Sequence, residues 1–583
     1  MTAINIGQFR GEMPRLMLRN LPENAAEVAT DVRLDDGGLT AIRKPAIENA
    51  NFGAYDTIFP FDGGWIGFSG TVHAALGPIA TERLYYTGDG APKMRIGSTI
   101  YPLALAAPST ALTASKSGTP SSSDVTTRLY LYTWVTDYGE ESAPCPASNE
   151  IEWSPGETVS LSGFAATPSG RNITKQRIYR AQTGSSGTYY YLIAERSASN
   201  SNYSDTVGVD GFQDPLPSMD FNPPSDTLAG LTAMANGMMA AFDGNTLYFC
   251  EPYQPHAWPE KYALYTDAPI VGLAFINATL IVLTEGSPYA VSGSAPESMQ
   301  MTELEADAPC LSARSIVDLG NAVGWVSAEG LMVLDGGGVR NATAGVFNYD
   351  TWQQYDLASS FGCQMHGRYV FFWRKEVSSG VYDYGTMLFD LATGATDKVN
   401  LSVIARAAHY QASEAQLRVI ERSTNDLLLV DPLNTARKFL YWRSKEFVLP
   451  TAETFAAIRI DTDELEDRDS SPLIQAEVVA LQTANAALIT STDMGAINSF
   501  EINGDEINGD PLDPLPLAIR GLSGRSTVVV YADREILHSF NPDGGIKRIP
   551  PKRSRRWQIS IYTDKRIERI AMATSVSELK ALV

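Results

Sequence analysis

MMAAFDGNTLYFCEPYQPHAWP, residues 238–259, sets two apolar runs on either side of Asp243-Gly244-Asn245 and ends in a loop with three prolines. Glycine and asparagine supply the left-handed backbone of a tight turn, so the runs predict a hairpin of two β-strands. From residue 227 onward the pattern returns, with turns at Asn277, Gly320-Asn321, His366-Gly367 and Asn425-Asp426. The intervals of roughly 35 to 60 residues are near the length of a four-stranded propeller blade. A generic multi-sheet β-protein is the other reading of the same spacing.

Composition agrees with a mainly β chain. Among 583 residues there are 47 Gly, 33 Pro and 26 Tyr, and charged residues make up only 19%. That length exceeds one ordinary core and predicts several domains. A net charge of −22 repels polyanions over most of the surface, which disfavours general nucleic-acid affinity. Cys145, Cys250, Cys310 and Cys363 form no C-x-x-C pair and read as reduced, buried thiols. The first residues lack the apolar core of a secretory signal, and the apolar run 270–283 is too short to span a bilayer, so no membrane-spanning segment is expected.

Four regions follow. Residues 1–108 hold a short helix, with Asn24 as cap and Ala25, Val28, Ala29 and Val32 at helical spacing, and then the first propeller strands. The small, polar run around 109–124 reads as a linker. Residues 125–222 alternate as the short strands of a β-sandwich, 227–450 carry the blades, and 451–583 form a peripheral C-terminal β-domain with polar insertions beginning at Asp461 and Glu501.

Within 125–222, Y-x-W-V-T-D-Y-G-E-E-S-A-P (132–144), R-I-Y-R-A (177–181) and Y-Y-L-I-A-E (190–195) resemble a fibronectin type III-like module. Such an insertion implies a peripheral decoration or a contact to fibres.

Chemistry-bearing candidates are few. Cys250, Glu251 and His256 could ligate a metal, but the prolines and the lack of a second ligand pair favour a structural loop packed through Trp258, in which His256 matters little. Asp461-Thr462-Asp463 starts like a calcium loop, yet Glu466 stands where an EF-hand needs glycine. No serine-hydrolase elbow, phosphate-binding loop, zinc-protease or dinucleotide motif is present, and the sialidase repeat is missing, so neither an enzyme nor a bound cofactor is expected. Lys547, Arg548, Lys552, Arg553, Arg555 and Arg556 concentrate positive charge in an acidic chain. They suit phosphate contact or, preferably, acidic loops of an adjacent copy.

Residues 9–39, FRGEMPRLMLRNLPENAAEVATDVRLDDGGL, with 244–259 and 556–579, resemble bacteriophage virion proteins of the tail nozzle, or tail tubular protein B, type. The resemblance implies a non-enzymatic homo-hexamer in the phage tail, made in the host cytoplasm. It would lie below the head-to-tail adaptor, touch other tail proteins or fibres, and pass DNA through its lumen without sequence-specific binding. The negative charge suits such a conduit, since a basic wall would retain the genome. The alternative is a glycan-binding or glycan-cleaving propeller using Tyr253 and Trp258 as a sugar platform; a cell-surface adhesin is a third.

Overall fold

The computed structural model describes residues 3–80, 82–184, 187–208, 211, 214–391, 397–462, 483, 526–542 and 545–581. The chain is mainly β, and it divides into two compact units. One comprises residues 55–328 and 334–339, the other 1–54, 329–333 and 340–583. The stretch 227–450, expected as one run of blades, is therefore shared between the units. Most of the polar insertions that begin at Asp461 and Glu501 lies outside the described residues.

The 55–328 unit is built from strands close together in sequence. His73–Leu76, Arg83–Thr87, Lys93–Ile96 and Thr99–Pro102 pair in chain order into an antiparallel sheet. Ala229–Ala233, Met239–Asp243, Thr246–Phe249 and Leu264–Tyr265 do the same, followed by Ile270–Ile276, Thr279–Thr284, Tyr289–Ser292 and Gln300–Glu303. The run 270–283 is thus a hairpin; among the described residues no helix is long and apolar enough to cross a membrane. First strands of successive sheets are neighbours: Ala229–Ala233 lies beside both His73–Leu76 and Ile270–Ile276. All five turns read from the sequence carry a left-handed residue, at Gly244, Asn277, Gly320, His366 and Asn425.

Inserted in this unit is a body with its own core. Tyr130–Thr136, Ile173–Gly184 and Gly187–Ser197 form one sheet, and Thr113–Gly118, Glu157–Ser162 and Tyr203–Asp205 another. Tyr130, Tyr132, Trp134 and Ile178 of the first meet Ala114, Val159 and Leu161 of the second in one buried cluster. The presumed linker at 109–124 is therefore corrected: its middle is the strand Thr113–Gly118, most of whose side chains are exposed. Small polar residues on a solvent-facing strand imitate a linker.

The other unit is woven from distant segments. Its ten-stranded sheet places Phe361–Met365, Arg368–Ser378, Val381–Phe389 and Val399–Leu401 beside Ala26–Thr30, then Leu440–Ser444, Ser554–Thr563, Thr527–Ala532 and Glu535–Phe540; Phe447–Glu453 also pairs with Ser554–Thr563. A second sheet joins Ala3–Ile6 to Ile567–Ala573, Ala457–Thr462 and Ile546–Arg548. A third, Ala405–Gln411, Gln416–Glu421 and Leu427–Val430, is completed by Ala46–Asn49 from far upstream.

The helix expected near residues 24–32 is absent, and Ala26–Thr30 is a strand. Its pairing with Leu440–Ser444 shifts register between Ala26 and Val28. That bulge puts the buried side chains at Ala26 and Ala29, three apart, which mimics the helical period.

Candidate functional site

The loop after Phe249 is a socket for the inserted sandwich. Glu251 N donates to Ala257 O at 2.9 Å and Ala257 N to Gln254 O at 2.9 Å, folding the proline-rich segment back on itself. Tyr253 takes a positive φ of 59° and covers Gly237, where any side chain would strike its ring. Trp258 is buried; its indole N–H donates to Pro255 O at 2.8 Å, and its backbone N–H donates to Asn222 O at 2.7 Å, at the sandwich's exit. Cys250 is buried too, and burial pushes its thiol up to about 12.

His256 corrects the reading that made it incidental. Its side chain is buried, with Nε2 2.9 Å from Glu141 O. A carbonyl only accepts, so Nε2 carries a proton, and Nδ1 lies 4.0 Å from Glu140 Oε1. Burial holds the imidazole below its ordinary pKa, against the pull of the Glu140 charge. Burial pushes Glu140 up, but the charge of Arg171, at 2.8 Å, together with hydrogen bonds from Arg171 and Thr136, outweighs it and leaves the carboxyl below its usual range. Arg171 also donates to Leu103 O at 3.3 Å, at the sandwich's entry. Tyr85 lies beside the group, its phenol raised to about 12 by burial and then by Glu140.

This arrangement explains part of the Y-G-E-E-S motif. Glu140 faces the socket, whereas Glu141 turns inward: Tyr179 Oη and Thr133 Oγ1 donate to it at 2.6 and 2.7 Å, and Arg177 pairs with it at 2.6 Å. Ser142 Oγ accepts from Trp134 N at 3.0 Å. A separate buried group joins Asp205 to Arg180 at 2.6 Å and Arg128 at 3.3 Å, with Tyr130 Oη donating at 2.8 Å. The sequence reading assigned no role to Glu140, Arg171 or Asp205. A Glu-Glu pair in a short turn between aromatic strands was the available signal.

The six cations of the basic cluster do not converge. Lys547 and Arg548 lie on Ile546–Arg548, paired with Ala457–Thr462. Lys552 pairs with Glu535 at 2.8 Å, and Arg556 lies 3.6 Å from Glu446, which Arg534 also engages at 3.0 Å. Arg553 donates to Ala452 O at 3.1 Å, and Arg555 to the carbonyls of Leu449 and Pro450. Lys552 and Arg556 are thus partly neutralised within the chain, and exposed pairs each contribute about 0 to 1 kcal/mol.

The N-terminal segment has the most definite role. Phe9 packs edge-on against Trp442 with centroids 5.1 Å apart, and Trp442 Nε1 donates to Arg10 O at 3.1 Å. At Gly11 an added Cβ would lie 2.3 Å from Lys398 O, so the close approach requires glycine. Glu12 accepts from Ala29 N at 2.9 Å and Asn400 Nδ2 at 2.6 Å and pairs with Lys398 at 2.5 Å. Phe9, Gly11 and Glu12 therefore insert the N-terminal segment into the woven sheet. Beside them a cleft of about 210 Å³ is lined by Arg10, Arg368, Asp390 and Asp397 among others. Among the described residues no three His, Cys, Asp or Glu side chains gather as a metal site requires.

No family model and no curated protein matches the chain. Two solved structures share a loose likeness. The BBS1N chain crystallised with ARL6DN is 9% identical, with a TM-score of 0.28 over 68% of this chain and 99% of that one. The Pan2 WD40 domain of Neurospora crassa is 10% identical, with a TM-score of 0.26 over 63% and 91%. Likeness of this degree leaves the architecture to be read from the strand pairings themselves.

Proposed function

We propose that the chain is a structural subunit of a bacteriophage tail: a nozzle-like protein that forms a homo-hexameric ring below the head-to-tail adaptor and passes DNA without reading its sequence. The observation that carries this reading is where the virion-like segments fall. Residues 9–39 and 556–579 contribute strands to the same ten-stranded sheet, and Ala3–Ile6 pairs with Ile567–Ala573. Two of the three resembling segments thus meet in one folded unit, while residues 244–259 belong to the other.

Propeller blades and a fibronectin type III-like insertion complete the proposal. Four-stranded meanders whose first strands are neighbours suit blades around an axis. The sheet finished by Ala46–Asn49 suits the strand exchange that closes a circular array. Burial of Trp258 removes half of the sugar platform on which the glycan reading rested.

Electron microscopy of phage particles carrying a tagged copy tests the proposal. Label at the neck or tail is expected. Label absent from particles, with the protein found only as a free monomer, overturns it.

A further inference from the structure

Seven consecutive residues, 14–20, are exposed although the chain is fixed on both sides of them. Upstream, Glu12 N donates to Lys398 O at 2.8 Å and Lys398 N to Glu12 O at 2.9 Å. Downstream, Leu21 is buried and its carbonyl accepts from Lys445 Nζ at 2.5 Å. Between these anchors Arg15 N donates to Val346 O at 2.8 Å, and Leu18–Asn20 makes one 3-10 turn with no buried residue. The segment is an arm held in shape, not a frayed end.

Its chemistry is unusual for a surface facing water. Leu16, Met17 and Leu18 are 37%, 69% and 46% exposed. The bond to Val346 sets the arm beside the segment that carries Tyr349, itself 63% exposed. Arg15, whose guanidinium also donates to Ala344 O, and Arg19 flank the apolar residues. Methionine, tyrosine and arginine are enriched at protein interfaces, and contiguous exposed apolar residues mark contact sites.

We propose that residues 14–20 dock on a second copy of this chain, with the apolar side chains against its surface and Arg15 and Arg19 against its carboxylates. Charge selects the occupant. The chain carries 67 acidic and 45 basic residues, so a second copy offers the carboxylates that two arginines complement. The inference rests on the ring proposed above and names one part of its subunit contact.

Thiol protection tests it. All four native cysteines are buried, so Met17→Cys introduces one accessible thiol into the full chain. Its reaction with Ellman's reagent is expected to slow about tenfold or more in isolated multimers relative to isolated monomers, because interface centres exclude solvent. Leu16→Ser combined with Leu18→Ser is expected to lower the multimer fraction at fixed concentration, with an unchanged far-ultraviolet spectrum. An introduced thiol that reacts equally fast in multimer and monomer overturns the docking site and leaves the ring standing. Absence of multimers from the parent protein overturns both.

Discussion

The sheets of residues 55–328 and the ten-stranded sheet of the other unit use the same strand chemistry with opposite connectivity. In the first, each strand pairs with its sequence neighbour, as in Met239–Asp243 with Thr246–Phe249. In the second, Ala26–Thr30 lies between Val399–Leu401 and Leu440–Ser444, about 400 residues away. Local sheets need only a turn and two alternating runs, whereas the woven sheet requires long loops to close before any pair can form. The N-terminal segment accordingly supplies strands to one unit from far along the chain, while the sandwich has all its strand partners within about 100 residues.

Truncation should break this comparison most sharply. A chain lacking residues 1–54 should leave 340–583 without cooperative unfolding, because the ten-stranded sheet loses an interior strand, two further sheets each lose an edge strand, and Trp442 loses its contact with Phe9. A fragment of residues 108–222 should fold alone, with a sigmoidal thermal transition. A folded 340–583 fragment, or an unfolded sandwich fragment, would contradict the contrast.

Point substitutions sharpen it at the next scale. Trp442→Ala removes a fully buried ring and should lower stability by about 3 to 5 kcal/mol in urea unfolding. Asp205→Ala strands the buried Arg180 and should cost a similar 3 to 5 kcal/mol, confined to the sandwich transition. His256→Ala leaves Glu141 O without its donor and should cost about 1 to 3 kcal/mol, detected as a lower melting temperature.

The pH dependence separates the units more gently. Burial holds His256 below its ordinary 6.5, and burial together with Arg418 holds His409 down to about 4. Each folded imidazole resists a proton that the unfolded chain accepts near 6.5. Stability present above that pH should therefore fall as pH drops from 6.5 toward 4. Melts across that window should be less steep for His256→Gln in the 55–328 unit and for His409→Asn in the other. The smallest effect belongs to the basic cluster. Replacing Lys552, Arg553, Arg555 and Arg556 by glutamine should leave the melt within about 1 kcal/mol per pair, while incorporation into particles falls.

What was legible follows the same division. Turns at Gly244, Asn277, Gly320, His366 and Asn425 were readable because the residues that tolerate left-handed backbone sit between apolar runs. The strand Ala26–Thr30 was misread because a bulge gives it the spacing of a helix, and its partners lie far along the chain. Thr113–Gly118 was misread because composition reports solvent exposure, not pairing. At the site, the folded-back course of the 250–259 loop was visible in its prolines. The burial of His256 was not, because its partner Glu141 lies 115 residues earlier and contributes a backbone carbonyl, which leaves no trace in side-chain pattern.

Native mass spectrometry of the purified full chain, taken through a concentration series, addresses the central claim most directly. A subunit of a closed tail ring should give a dominant species of six chains, without bound cofactor, that dissociates as salt is raised and charge pairs are screened. A single-chain mass at every concentration and salt, together with no closed rings in images of the same sample, would contradict the account.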